Sequence, residues 1–279
     1  VQDVDNNGFG NTRLARLSGG AWQPVGPELF NYAGGDVEIV DLMVGPPDLP
    51  TLAWVETNIQ GDQQLYLRQF TAGTWIELGP VDSFLVDTAA RLLAFDLASL
   101  NGVPVLAWVE EGSDGAVLTQ VQRWDAGTNT WLALPTPDGP DAFTTNLSLR
   151  SSPTGDLLLG FDNIEGLASL QFLASGATAW AAIGLPVVGE LLVGAPGVAL
   201  PTNGEGSSAA LAWQSSNLGL SRFGDGGWEQ IASNISDVDM FGGYDQHVLM
   251  PTPNQITLAW LEDSDQTRTL RLLSFIQVP

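Results

Sequence analysis

Pro104-Val105-Leu106-Ala107-Trp108-Val109-Glu110 is a short apolar run built around one Trp and closed by an acid. It is one of a set. Pro50-Thr51-Leu52-Ala53-Trp54-Val55-Glu56 repeats it closely, and Ile256-Thr257-Leu258-Ala259-Trp260-Leu261-Glu262 repeats it near the other end of the chain. Ala210-Leu211-Ala212-Trp213-Gln214-Ser215 keeps the centre of the pattern, and Leu157-Leu158-Leu159-Gly160-Phe161-Asp162 is a degenerate copy. The corresponding positions 54, 108, 160, 213 and 260 are separated by 54, 52, 53 and 47 residues. A second marker, a small-residue turn followed by Trp, falls at Trp22, Trp75, Trp131, Trp180 and Trp228, with separations of 53, 56, 49 and 48. Two independent markers share a period near 50 and use nine of the ten Trp between them. A fixed period of this length marks a repeat architecture.

Each repeat reads as strands. Leu65-Tyr66-Leu67-Arg68-Gln69-Phe70 and Val117-Leu118-Thr119-Gln120-Val121-Gln122-Arg123-Trp124 alternate as half-buried strands do. They run into Gly-containing hairpin turns such as Thr71-Ala72-Gly73-Thr74. A repeat is thus an inner strand A, the apolar strand B, the alternating strand C and a short outer strand D that opens at Trp. Four-stranded repeats of this length predict an all-β propeller, whose blades hide their faces against one another. Counting strand B gives five blades, closed by pairing N- and C-terminal strands. Residues 21–26 are expected to supply the outer strand missing from the last blade. Arg13-Leu14-Ala15-Arg16-Leu17-Ser18 also looks like a strand C, so the alternative is six blades, one of them partial. In this reading residues 1–11 form an acidic N-terminal tail and residues 12–279 a single propeller domain.

The hairpin Gln122-Arg123-Trp124-Asp125-Ala126-Gly127-Thr128-Asn129-Thr130-Trp131-Leu132 resembles the C–D hairpin of kelch-type blades. The fuller unit is similar to propeller repeats of secreted bacterial proteins. The turn Gly224-Asp225-Gly226-Gly227-Trp228 resembles the Asp-box of sialidases, without its Ser-x-Asp-x-Gly-x-x-Trp spacing. The resemblance implies architecture rather than activity.

Composition narrows the chemistry. The 279 residues carry nine Arg and no Lys, 32 acids, one His and no Cys, a formal charge of −23. Thiolate chemistry, Cys-ligated metals, Schiff bases and multi-histidine sites are excluded. Nucleic acid is a poor partner for so acidic a field, and no apolar run is long enough to insert in a membrane as a helix. Topology gathers the charge: the B–C and D–A loops share one rim and hold 21 of the 32 carboxylates. A face of one sign draws cations or a basic protein surface.

Four acids close the strand B runs near the axis: Glu56, Glu110, Asp162 and Glu262, with Ser215 breaking the set. They are the candidates for Ca²⁺ ligation, or for the acid and the nucleophile or base of a glycoside hydrolase. Their repetition argues for a structural role, because catalytic acids need unlike environments. Asp3-Val4-Asp5-Asn6-Asn7-Gly8 matches the opening of a calcium loop, making Asp3, Asp5 and Asn7 the candidate metal ligands. His247 has no nucleophile to serve and reads as structural. Arg16, Arg123 and Arg222 share one strand C column, with Gln69 in the same place, and are expected to pair between blades.

These residues point to a non-enzymatic extracellular binding or assembly module. Its acidic top face is expected to engage Ca²⁺, a basic protein surface or a glycan, on a protein secreted by a bacterium or held at its surface. A glycoside hydrolase using the axial carboxylates is the first alternative. A structural subunit of a surface filament or layer is the second.

Overall fold

The computed structural model describes residues 2–4, 10–27, 29, 36–45, 49–57, 61, 63–79, 91–137, 147–162, 168–183, 197–200, 208–214, 218–224, 227–233, 235, 247–264 and 267–276. All regular structure among them is β. Four meanders of four antiparallel strands follow one another. The first is β5 (Asp36–Gly45), β6 (Leu49–Thr57), β7 (Gln63–Thr71) and β8 (Thr74–Glu77). The second is β9 (Arg91–Leu100), β10 (Val103–Glu111), β11 (Val117–Asp125) and β12 (Thr130–Ala133). The third is β13 (Leu147–Ser151), β14 (Leu157–Asp162), β15 (Ala168–Leu173) and β16 (Ala181–Ala182). The fourth is β17 (Gly197–Ala199), β18 (Ala209–Gln214), β19 (Leu218–Gly224) and β20 (Gly227–Ala232). A three-stranded sheet completes the series: β21 (His247–Thr252), β22 (Gln255–Ser264) and β23 (Thr267–Ile276). Two hairpins precede them, β1 (Gln2–Val4) with β2 (Gly10–Thr12), and β3 (Ala15–Ser18) with β4 (Ala21–Pro24). The first of these occupies part of the segment read from sequence as a tail.

The repeated Trp of strand B explains why separate sheets pack into one molecule. Trp108 of β10 is fully buried and clusters with Val55, Leu65 and Leu67 of the preceding sheet. Trp260 of β22 likewise packs on Ala210, Ala212, Leu218 and Leu220 of the fourth sheet. The core is therefore laid down between sheets, as the periodic pattern predicts. The side chain of Trp213 lies outside the described residues.

A second stitch runs along the outer edge. After each strand D the chain turns back, and the next N–H donates to a strand C carbonyl: Leu78 to Leu67 at 3.0 Å, Leu134 to Val121 at 2.9 Å, Ile183 to Leu170 at 3.1 Å and Ile235 to Leu218 at 3.0 Å. The Trp of the next strand D then donates its indole N–H to this crossing. Trp131 bonds the Leu78 carbonyl at 2.8 Å, Trp180 the Pro135 carbonyl at 2.7 Å and Trp228 the Ile183 carbonyl at 3.2 Å.

The hairpin β3–β4 carries the same mark, because Val25 N donates to Leu14 O at 2.8 Å. It is the C–D half of a repeat that precedes the β5–β8 sheet. The strand expected to complete the last blade, residues 21–26, pairs with β3 instead, and no pairing of β4 with β23 occurs among the described residues. The spare strand of the sequence reading is thus the partner of the supposed closing strand. The described sheets comprise four full meanders, a three-stranded sheet and this half-repeat, and no closed barrel is found among the described residues.

Candidate functional site

Of the four acids that close the strand B runs, Glu56 and Glu110 have described side chains. Each is only 2 % exposed. Trp54 Nε1 donates to Glu56 Oε1 at 2.7 Å, and Gln120 Nε2 donates to Glu110 Oε1 at 2.6 Å. Both carboxyls are turned into the sheets as acceptors for buried donors, and neither is open to a ligand. The side chains of Asp162 and Glu262 lie outside the described residues, as does that of Asp3, and Asp5 and Asn7 lie outside altogether. Among the described residues no group of three or more His, Asp or Glu is placed to hold a metal ion. His247 is exposed at the start of β21. Much of the acidic rim, including Asp62, Asp82, Asp87, Asp138 and Asp141, also falls outside the described residues.

In the Arg column, the ion pair of Arg222 lies within its own hairpin. Arg222 Nη2 meets Glu229 Oε2 at 2.6 Å across its own C–D hairpin. Gln69 Nε2, in the same column, donates to Thr51 Oγ1 at 3.1 Å within its own sheet. Arg150, on an inner strand, does bridge sheets: its Nη1 lies 2.8 Å from Asp96 Oδ2.

Asp96 belongs to a carboxyl pair that the repeat pattern does not announce. Asp41 of β5 lies opposite Ala53 and Asp96 of β9 opposite Ala107, each on the inner strand beside the residue that precedes the strand B Trp. The matching ladder positions in the other sheets are Leu149, Gly197 and His247. Asp41 Oδ2 accepts the Leu97 N–H of the next sheet at 2.7 Å, and Asp96 Oδ2 accepts the Leu149 N–H of the sheet after that at 2.6 Å. Burial, the charge of Asp96 and a hydrogen bond shared with Asp96 push the Asp41 carboxyl up to about 7, against the lowering effect of the Leu97 and Leu42 N–H groups. These are unlike environments, one carboxyl raised by burial and one paired with Arg. Both carboxyls, however, accept from the same Leu97 N–H, at 2.7 and 2.9 Å, and are committed to the backbone. The pair stitches three inner strands together.

A signal for it was present in the sequence. In Val40-Asp41-Leu42-Met43-Val44 and Leu93-Ala94-Phe95-Asp96-Leu97-Ala98 a lone acid interrupts an apolar strand. Buried charges of that kind are retained only when paired or hydrogen-bonded.

Among the described residues, a space suited to a ligand lies elsewhere. A groove of about 560 Å³ opens between the β3–β4 hairpin and the β5–β8 sheet. Leu42, Val44 and Phe70 give it apolar walls, and Arg16 supplies its charge. Phe70 is held by a tilted contact with Trp75, with ring centroids 5.2 Å apart. The hairpin reaches this wall at Gly26, whose φ of +73° suits glycine and where a Cβ would sit 2.5 Å from Trp75 Nε1. Trp75 Nε1 is buried without the carbonyl partner its counterparts Trp131, Trp180 and Trp228 have. The half-repeat therefore abuts the first full sheet less regularly than full repeats abut one another, and the groove occupies that junction. The groove was missed from sequence because it depends on which strands a hairpin lacks.

No protein-family model matches the chain, and no curated protein sequence does. Solved structures do. A protein of unknown function from Dyadobacter fermentans superposes with a TM-score of 0.63 at 12 % identity, over 98 % of this chain and 85 % of that one. The Hadza microbial sialidase Hz136 gives 0.60 at 11 % identity over 96 % of this chain, which spans only 59 % of the sialidase. The Aleuria aurantia lectin, a six-bladed β-propeller that recognises fucose, gives 0.58 at 13 % identity, over 99 % of this chain and 86 % of the lectin. At these identities the likeness is one of fold. The chain has the fold of a β-propeller.

Proposed function

We propose that this propeller is a non-enzymatic glycan-binding module, and that its sugar sits in the groove between the β3–β4 hairpin and the β5–β8 sheet. The observation that carries the reading is that groove: about 560 Å³, lined by aromatic and aliphatic side chains with one polar anchor, at a junction between repeats. Pockets of this size with mostly apolar walls and few placed polar groups are the usual form of small-ligand sites. Propellers of similar fold include a fucose-recognising lectin and a sialidase, which supports a carbohydrate role. Against hydrolysis stand the burial of Glu56 and Glu110 and the commitment of Asp41 and Asp96 to backbone N–H groups. We further propose secretion or display on a bacterial surface, with the half-repeat counting as a sixth, partial blade. Calcium at Asp3, Asp5 and Asn7 stands as a secondary proposal, tested by comparing melting in calcium and in chelator.

Binding to an array of glycans, followed by calorimetry on the hits, tests the reading. Val44 is largely exposed on the groove wall, so Val44→Trp fills the space without disturbing the core. The expected result is binding by the native chain and its loss in Val44→Trp at an unchanged melting temperature. Absence of any glycan binding, or binding indifferent to Val44→Trp, overturns the assignment.

A further inference from the structure

The groove has a sign opposite to that of the molecule. The chain carries 32 acids against nine Arg, yet among the described residues no carboxylate lines the groove and one of the nine Arg does. That residue, Arg16, occupies the strand C column also held by Arg222. In the β19–β20 hairpin the residue directly across the ladder is Glu229, and the two side chains pair at 2.6 Å. A neighbouring column repeats the arrangement, with Arg68 across from Glu77 at 3.8 Å. In the β3–β4 hairpin the residue directly across from Arg16 is Gln23. The acid that faces Arg222 is replaced here by its neutral amide, just as Leu132 stands across from Arg123 in the same column, and no carboxylate among the described residues pairs with Arg16. Arg16 is exposed, and it borders a cavity whose other walls are apolar.

Resting on the glycan reading above, we infer that the groove takes an acidic sugar, with Arg16 pairing to the sugar's carboxylate or sulfate. A guanidinium offers two parallel N–H donors matched to a carboxylate, and such charge-assisted pairs are about twice as strong as neutral ones. The apolar walls of Leu42, Val44 and Phe70 would take the non-polar face of the ring. The acidic surface does not forbid this. At physiological ionic strength, charges more than about 8 Å away are largely screened, whereas a contact pair is not.

The test uses matched pairs of probes at physiological ionic strength. Oligogalacturonate is titrated against its methyl ester, and a sulfated disaccharide against its desulfated parent, by calorimetry with the whole chain. The two pairs tell a carboxylate reader from a sulfate reader. The expected result is that one acidic probe binds about tenfold or more tightly than its neutral twin. Arg16→Gln should erase that preference. Gln23→Glu should erase it too, because it restores across the ladder the carboxylate that Arg222 already has. Arg16→Lys should keep part of it. Because both positions are exposed on a short hairpin, the melting temperature should not move.

Equal binding of acidic and neutral probes overturns the inference and leaves the glycan reading standing. So does a preference that survives Arg16→Gln or Gln23→Glu. Failure of all four probes in the native chain, with an array that is also blank, overturns both.

Discussion

Glu56 shows how a residue can look catalytic in sequence and be structural in the fold. It ends an apolar run, repeats at Glu110 and Glu262, and so marks a regular position near the axis. In the structure it is buried and accepts the Trp54 indole N–H. Trp54 is itself fully buried, stacked on Tyr66 with centroids 5.5 Å apart and with the Arg68 guanidinium 5.7 Å from its ring. Glu56→Ala would strand a buried donor, at a cost of about 1–3 kcal/mol. Glu56→Gln keeps an acceptor oxygen in place and should recover most of that loss. Denaturant melts of the two variants check this, and equal destabilisation by both would mean that the charge matters rather than the acceptor. The periodic residues were legible from sequence because burial between repeats imposes the same side chain at the same place each time. Trp54, Trp108 and Trp260 are buried for that reason. Asp41 and Asp96 escaped notice because their column reads Asp, Asp, Leu, Gly, His around the inner strands, and a pattern that does not repeat leaves no periodic trace.

At the scale of elements, the strand D Trp residues form a series whose members are not equivalent. Trp131 and Trp180 are buried and each donates to a carbonyl of the preceding repeat. Trp22 holds the same sequence position but is 72 % exposed. The periodic spacing of Trp22 was plain from sequence. Its exposure was not, because burial here depends on a neighbouring sheet rather than on the local strand. Trp131→Phe keeps most of the ring volume but removes the N–H, leaving the Leu78 carbonyl buried without its donor. A loss of about 1–3 kcal/mol is expected. Trp22→Phe removes no such bond and should stay within about 0.5 kcal/mol of the native chain. Paired chemical melts decide between them. A large loss at Trp22 would mean that its hairpin is covered in solution. The ends of the series differ in the same way: Leu270, Leu272 and Ile276 of β23 are exposed, whereas Leu106, Leu149 and Leu158 of the inner repeats are fully buried.

The whole molecule is held by contacts that cross from one repeat to the next, and the inner-strand carboxyl pair makes those contacts depend on pH. Asp41 bonds the β9 backbone, Asp96 bonds the β13 backbone, and Arg150 of β13 answers Asp96. With Asp41 pushed up to about 7, the folded chain keeps a proton that the unfolded chain releases near the ordinary carboxylate value of ~3.9. Between those two values the folded state binds more protons than the unfolded one, so its stability falls as pH rises. The contribution is complete below the unfolded value and is lost as pH passes through about 7. Asp156 works in the opposite sense. Burial raises it, but hydrogen bonds from Thr154, the Ser175 N–H and Ser152 together outweigh that and lower it, so its contribution is lost as pH falls. The chain should therefore be most stable in mildly acidic solution. The decline from pH 6 to 8 is diagnostic, because ordinary carboxylates are already ionised there and self-repulsion from them has levelled off. Asp41→Asn fixes the neutral form, retaining one oxygen for the Leu97 N–H and an amide donor for Asp96. It should flatten the decline, which in the native chain is expected to be on the order of a few kcal/mol at most. Arg150→Gln should leave the two carboxyls without their neighbouring cation and steepen the loss. Melting curves of the three proteins from pH 5 to 8 provide the measurement. A native chain as stable at pH 8 as at pH 6, or an Asp41→Asn chain with the native slope, would show that the shared proton does not hold the inner strands together.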